Sequence, residues 1–270
     1  MSVGICTWVF GDRSLDRVAE DVRRIGFDAV EVVADPQRVD AARARRTLAA
    51  HGLNVVSMTP CEADPAHPDP RTRSEAVDRY RRMLDLAASI GSPLLGFHGS
   101  VGRIRPLSSQ HEEERLLLES GMAVADYAAA VGVHLAVEVL NRYESHLLNR
   151  CEQALDFVRQ IDRAGVGILL DTYHMNIEEA DPAIAVRAAG RALHLVHVAD
   201  SNRRAIGRGH LDFGKLFGEL DVLEYRGPIA VETVAPTPDP FDAAGKDEEY
   251  ALAMDEAAET LRWLRSEGQC

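Results

Sequence analysis

The sequence predicts an α/β fold, a single (β/α)8 barrel spanning residues 1–270. Three observations predict it. Short apolar runs alternate with longer helical stretches along the chain, which argues for parallel pairing through helical crossovers. Runs such as VGILL and HLVHV are apolar throughout rather than alternating, as strands buried on both faces are. Eight such strand–helix units can be counted, the number that closes a barrel. The length suits one barrel domain, and no linker splits the chain. An open doubly wound sheet would want a Gly-rich turn after the first strand, and TWVFGDRS has no GxGxxG.

In order, Val3 to Trp8 is the first strand, and Ser14 caps a helix that runs to Ile25. Ala29 to Val33 is the second strand, followed by an Arg- and Ala-rich helix from Val39 to His51 that Gly52 ends. Asn54 to Met58 is the third strand. Thr59 to Pro70 carries four prolines and no periodicity, so it is a long loop. Arg71 to Ile90 is a helix closed by Gly91, and Pro93 to Phe97 the fourth strand. A second long loop, Gly99 to Gln110, leads to a helix from His111 to Val131 that Gly132 stops. Val133 to Glu138 is the fifth strand, Asn141 to Asn149 a polar loop, and Cys151 to Ile161 a helix. Val166 to Leu170 is the sixth strand, and a helix from Asp181 to Ala189 has Pro182 in its first turn. Ala192 to Val198, a basic Gly-rich loop from Asp200 to Leu211, and a helix from Asp212 to Leu220 follow. Pro228 to Glu232 is the eighth strand and Lys246 to Arg265 the last helix. The whole is a (β/α)8 TIM barrel.

Composition narrows the function. Hydrophobic residues make up 46%, enough for a full core, and the net charge is −13. Such a surface repels phosphate backbones, so no nucleic-acid partner is expected. A neutral or cationic small molecule, or an anion met by a local Arg, fits better. No run approaches the roughly 18 apolar residues of a membrane span. MSVGICTWVFGDRS lacks a basic n-region and reads as a strand rather than a signal peptide. The four cysteines, Cys6, Cys61, Cys151 and Cys270, have no CxxC spacing. They suggest neither a zinc knuckle nor a disulfide framework, and a reducing cytoplasm is the expected compartment.

The chemistry lies at the ends of the last four strands. The apolar run in ILLDTYHMNIE stops on Asp171, with His174 three residues later. The fifth strand ends on Glu138 (HLAVEVLNRYE), the seventh carries His197 (LHLVHVADSN), and the eighth ends on Glu232 (PIAVETV). Any one of these is equally a capping or ion-paired group at a strand end. Four successive strands ending on ligand-type residues are harder to explain that way, because neighbouring ends share one rim. Three carboxylates brought together cannot all stay ionised without a compensating charge, and a divalent cation is the simplest one. Oxygen-rich ligation with a single His suits Mn²⁺, Mg²⁺ or Co²⁺ better than structural zinc. Glu144, His174 and Arg203 fall in loops over the same rim, where substrate contacts are expected. Arg204 and Arg208 suit surface or gating positions. Trp8 and Phe10 offer an apolar pocket wall or core packing. His98 offers either a substrate contact or a satisfied polar group at a strand end. The stretch VETVAPTPDP makes no Gly-rich phosphate cradle, which favours an unphosphorylated sugar or polyol.

VEVLNRYE, LLDTYHMNIEE, LHLVHVADSNRR with GRGHLDF, and AVET resemble motifs of the xylose isomerase-like sugar isomerase/epimerase superfamily. The likeness is nearest to the D-tagatose 3-epimerase and D-psicose (D-allulose) 3-epimerase group. It is dense from about Val133 to Glu232 and looser elsewhere. The resemblance implies that Glu138, Asp171, His197 and Glu232 ligate one divalent metal ion, Mn²⁺ first and Co²⁺ or Mg²⁺ as alternatives. It also implies that Glu138 and Glu232 are a paired acid and base, and that Glu144, His174 and Arg203 contact substrate hydroxyls. The implied reaction inverts C3 of a free ketose through an enediolate. Separately, exposed barrel helices often pair, so a homodimer or homotetramer is expected. No specificity residue can be assigned in Ser57 to Glu62. Rival expectations reuse the metal site: an inosose isomerase or dehydratase, or a hydroxypyruvate-type isomerase. A DNA-repair enzyme of the endonuclease IV type would need His98, His174 and His210 as extra ligands for three zinc ions. The acidic surface and a third strand without histidine argue against it. A barrel that binds a sugar without turning it over fits poorly with an intact ligand quartet.

Overall fold

Eight apolar runs form eight parallel strands in the computed structural model, which describes residues 1–237 and 247–269. They are β1 (Val3–Ile5), β2 (Ala29–Ala34), β3 (Asn54–Pro60), β4 (Leu94–Phe97), β5 (His134–Glu138), β6 (Val166–Asp171), β7 (Leu193–Val198) and β8 (Ile229–Val231). Their hydrogen-bonded order is β1-β8-β7-β6-β5-β4-β3-β2, and a single bridge between Cys6 and Glu31 joins the remaining seam. The helices between them are α1 (Leu15–Ile25), α2 (Ala41–Ala50), α3 (Pro70–Ile90), α4 (Gln110–Val131), α5 (Cys151–Ile161), α6 (Thr172–Glu178), α7 (Pro182–Ala189), α8 (Phe213–Val222) and α9 (Asp247–Ser266). The barrel and its order of elements agree with the sequence reading. Ser14, Asp40, Asp69 and Ser109 each cap a helix by accepting from a backbone N–H in its first turn.

Two register shifts decide what the rim presents. Val30 pairs with Val55, but the next pair is Glu31 with Ser57. Ile168 pairs with Leu193, but the next pair is Leu169 with Leu195. Without the extra residue, His194, Asp171 would stand beside Val196; with it, Asp171 stands beside His197. Adjacent residues in a strand point to opposite faces, so each bulge changes which side chains share the barrel interior.

Several boundaries differ from expectation. β1 stops at Ile5, and Thr7–Phe10 is a 3₁₀ helix, so Trp8 is not a strand residue. β3 runs on to Pro60 because Val33 and Ala34 of β2 remain available as partners for Thr59 and Pro60. β8 is only three residues long, leaving Glu232 just beyond it. His174 was expected in a loop and lies on α6, which starts at once because Asp171 accepts from the backbone N–H of Tyr173 (2.7 Å). Lys246, the expected start of the last helix, and Cys270 lie outside the described residues, as does the end of VETVAPTPDP. No helix among the described residues is long and apolar enough to cross a membrane.

The long loop before α4 is tied down by Glu113, a wholly buried carboxylate. It accepts from the backbone N–H groups of Leu107 (2.5 Å) and Ser108 (2.8 Å), faces His146 Nε2 (3.0 Å), and pairs with Arg103. Burial alone would raise its pKa, but the Arg103 hydrogen bond and the backbone donors hold it below the usual carboxylate range. A depressed carboxylate stabilises the fold above its unfolded pKa and loses that contribution as pH falls through its folded value. Glu113→Gln should therefore cost about 3 kcal/mol at pH 7 in urea unfolding. The gap to the parent should narrow below about pH 4 as the parent's own carboxyl protonates.

Candidate active site and metal centre

Four side chains converge where β5 to β8 end. Glu138 closes β5, Asp171 closes β6, His197 sits in β7, and Glu232 follows β8. One ligand atom from each lies within 4.8 Å of the others, and all four residues are buried. His197 Nδ1 stands 2.8 Å from Glu232 Oε2 and 3.9 Å from Glu138 Oε1. Arg203 reaches into the cluster, with Nη1 on Asp171 Oδ2 (2.5 Å) and Nη2 on Glu232 Oε2 (2.9 Å). Its guanidinium lies 4.7 Å from the Tyr173 ring and 5.8 Å from the Trp8 ring, and its Nε has no partner among the described residues.

The backbone goes out of its way to place that guanidinium. Arg203 has φ +62°, in the left-handed region that favours glycine. The turn is held by Arg203 N donating to Asp200 O (2.8 Å) and Val234 N donating to Arg203 O (2.9 Å). The Asp200 carboxylate accepts from the N–H groups of Ser201 (2.7 Å), Gly207 (2.8 Å) and Leu211 (3.2 Å). A Cβ on Gly209 would fall 2.2 Å from Asp200 Oδ1, which is why GRGHLDF needs glycine there.

The charges are unevenly compensated. Burial pushes Glu138 well above the usual carboxylate range, and Glu232, Asp171 and Glu31 add to the rise. No hydrogen bond from a described residue reaches its carboxylate; His197 Nδ1 at 3.9 Å and His98 Nε2 at 4.0 Å are too far. Burial would also raise Glu232, but Arg203 and then His197 bring it down to about 2. Burial would lower His197, yet Glu232 and Glu31 on its two nitrogens raise it well above the usual imidazole value. A buried carboxylate without a donor, aimed at two others and an imidazole, fits a divalent cation of the oxygen-preferring kind.

The expected rim residues are also here. His174 is buried, and its Nδ1 accepts from Asn141 N (3.2 Å). Because a backbone N–H can only donate, the ring hydrogen must sit on Nε2, 3.6 Å from Asp171 Oδ2. Burial keeps this ring neutral, with its pKa lowered to about 3. Glu144 is half-buried and accepts from Asn141 Nδ2 (2.9 Å), and burial raises its pKa. Trp8 donates from Nε1 to Glu232 Oε1 (2.7 Å), so it contacts the cluster directly. Phe10 does not: two residues on in a 3₁₀ helix its ring points elsewhere, wholly buried against Tyr250 (5.7 Å), and it is core rather than pocket wall. His98 is held by Gly99 O at Nδ1 (2.6 Å), which leaves Nε2 towards Glu138. His210 is exposed and bonds Ser201, away from the cluster. A cavity of about 730 Å³ lies beyond Trp8, between α1, α2 and β2, and none of the four cluster residues lines it.

Sequence reading missed Asn141, Tyr173 and Glu31. Glu31 approaches His197 Nε2 (3.1 Å) from behind. Its one sequence signal was a carboxylate inside the apolar run AVEVVA, which mid-strand position made easy to pass over.

The barrel and its buried ligand cluster define a class. This chain belongs to the xylose isomerase-like TIM barrel family, whose profile matches residues 19–267. Within it, the chain is similar to 3-epimerases of ketoses. It is 33% identical to the L-ribulose 3-epimerase of Methylomonas sp. over 78% of this chain and 75% of that one. It is 34% identical to the ketose 3-epimerase of Arthrobacter globiformis over 79% of this chain and 75% of that one. The crystal structure of D-psicose 3-epimerase with D-tagatose from Clostridium cellulolyticum H10 superimposes with a TM-score of 0.89 at 25% identity, covering 100% of both chains.

Arg203 stands where it offsets the charge that a cation would otherwise meet alone. Arg203→Met should lower the stability of the metal-free protein by about 3 kcal/mol, because it leaves buried carboxylates unpaired. Saturating Mn²⁺ should then raise the melting temperature of the variant by more than it raises that of the parent.

Proposed function

We propose that this chain is a metal-dependent ketose 3-epimerase that interconverts C3-epimeric free ketoses. The observation that carries the reading is the pairing of Glu138 and Glu232 in one buried cluster, in a chain that matches 3-epimerases over most of its length. The proposed ligands are Glu138, Asp171, His197 and Glu232, with Mn²⁺ favoured and Co²⁺ or Mg²⁺ as alternatives. When bound, the cation supplies positive charge against the enediolate as it forms.

The chain's own residues divide the remaining work. The hydrogen on C3 is acidic because it lies α to the C2 carbonyl. One of Glu138 and Glu232 removes it, and the other returns a proton to the opposite face. Trp8 Nε1 and Arg203 Nη2 hold Glu232 from two sides, which fixes the direction of its free electron pairs. His174, with its hydrogen on Nε2, is a neutral donor for O2, and the Arg203 guanidinium balances the charge that develops there. Glu144, steadied by Asn141, suits a hydroxyl further along the sugar. Burial excludes water that would compete for these donors.

The reading includes one domain over residues 1–270, a homodimer or homotetramer, and a cytoplasmic location. It includes no nucleic-acid partner, in keeping with a net charge of −13.

The decisive experiment is a panel of free ketoses incubated with the Mn²⁺-loaded protein and resolved by chromatography. Interconversion of a C3-epimeric pair, such as D-fructose and D-psicose, or of L-ribulose with its C3 epimer, is the expected result. Turnover of an inosose or hydroxypyruvate with no C3 epimerisation would overturn the reading. Glu138→Gln should lower kcat by about 10³-fold. Chelation should abolish activity, and added Mn²⁺ should restore it.

A further inference from the structure

Glu31 has no part in the chemistry above, yet it is 1% exposed and touches a proposed ligand. Its carboxylate accepts from four groups. Cys6 Sγ (3.3 Å) and Thr59 Oγ1 meet Oε1, while Ser57 Oγ and His197 Nε2 (3.1 Å) meet Oε2. The strands bring these donors together for a structural reason. Cys6 arrives through the β1–β2 bridge, and the shifted β2–β3 register sets Ser57, rather than Val56, beside Glu31.

An ionised carboxylate only accepts, so the nitrogen that faces it carries a hydrogen. His197 Nε2 is therefore a donor. Nδ1 faces the Glu232 carboxylate, so without an ion it carries a hydrogen too. Only that hydrogen stands where a cation would displace it, while Glu31 keeps the one on Nε2. Nδ1 is the nitrogen on the cluster side, 2.8 Å from Glu232 and 3.9 Å from Glu138. We propose that Glu31 is a positioning residue that locks the tautomer and ring orientation of His197, so that Nδ1 is presented to the divalent cation. This rests on the reading of the quartet as a cation site.

Two other accounts of Glu31 compete with this one. Cys6, Glu31 and His197 form a group that could itself hold an ion. The hydrogen bonds speak against it, because both oxygens already accept from two donors each, and an ion would have to displace them together. Alternatively, Glu31 could merely satisfy buried hydroxyls. That account leaves unexplained why the carboxylate, and not another hydroxyl, lies on the one imidazole of the quartet. Outer partners of ligating histidines typically set 10–100-fold in metal affinity.

The test uses the full chain, stripped of metal and titrated with Mn²⁺ alone, with free Mn²⁺ read by electron paramagnetic resonance. Melting temperatures of the metal-free forms are measured alongside. The parent should bind one ion. Glu31→Gln should weaken binding by about 10–100-fold, Glu31→Asp should recover part of the loss, and Ser57→Ala should weaken binding by a few-fold. A residue that only satisfies the core would lower the melting temperature of Glu31→Gln and leave the affinity of folded chains unchanged, which would overturn the proposal. Should Glu31→Gln not fold, Ser57→Ala decides, and unchanged affinity there overturns it too. A parent that binds two ions and loses one in Cys6→Ser would overturn it in favour of a second ion site. A parent that binds none would sink the quartet reading and this proposal together; one ion with every variant unchanged would sink the proposal alone.

Discussion

Three carboxylates and an imidazole held within 4.8 Å of one another, all buried, are the constraint on which the upper rim of this barrel depends. Isolated ions cannot be buried at tolerable cost, so such a cluster persists only if counter-charge is built around it. Arg203 provides part of it, at the expense of a left-handed backbone at a non-glycine residue. That strain explains the surrounding loop: the Asp200 carboxylate gathers three backbone N–H groups to hold the turn, and Gly209 packs where no side chain would fit. Among the described residues no hydrogen bond reaches the Glu138 carboxylate, and the four side chains form a group that could hold a metal ion.

A second layer of organisation lies in the sheet. Parallel strands of matched length would pair with constant register, and side chains would alternate in and out predictably. Here two shifts break the alternation, one before Glu31 and Ser57, the other before Asp171 and His197. Each sets polar groups side by side on the inner face where regular pairing would have set a polar group against Val56 or Val196. The polar interior is thus made by small irregularities in an otherwise apolar sheet. It is continuous from Ser57 and Thr59 through Glu31 and His197 to Glu232 and Trp8.

Much of this was legible in the chain. The period of the apolar runs, the glycines at helix ends and the carboxylates at strand ends report local physics that operates within a few residues. They determined the eight units, their order, and the candidacy of Glu138, Asp171, His197 and Glu232. The motif around LLDTYHMNIEE carried the family. What the sequence alone could not determine depends on contacts between residues far apart in the chain. Trp8 reaches Glu232 across 224 positions, and Glu31 reaches His197 across 166. Phe10 looked as suitable a pocket wall as Trp8, and only the turn of a 3₁₀ helix separated them. His174 needed α6 and Asn141 before its hydrogen could be assigned to one nitrogen. Periodicity records which residues are buried, but closure of the barrel and the register of its strands decide which buried groups meet, because both are set by packing summed over the whole sheet.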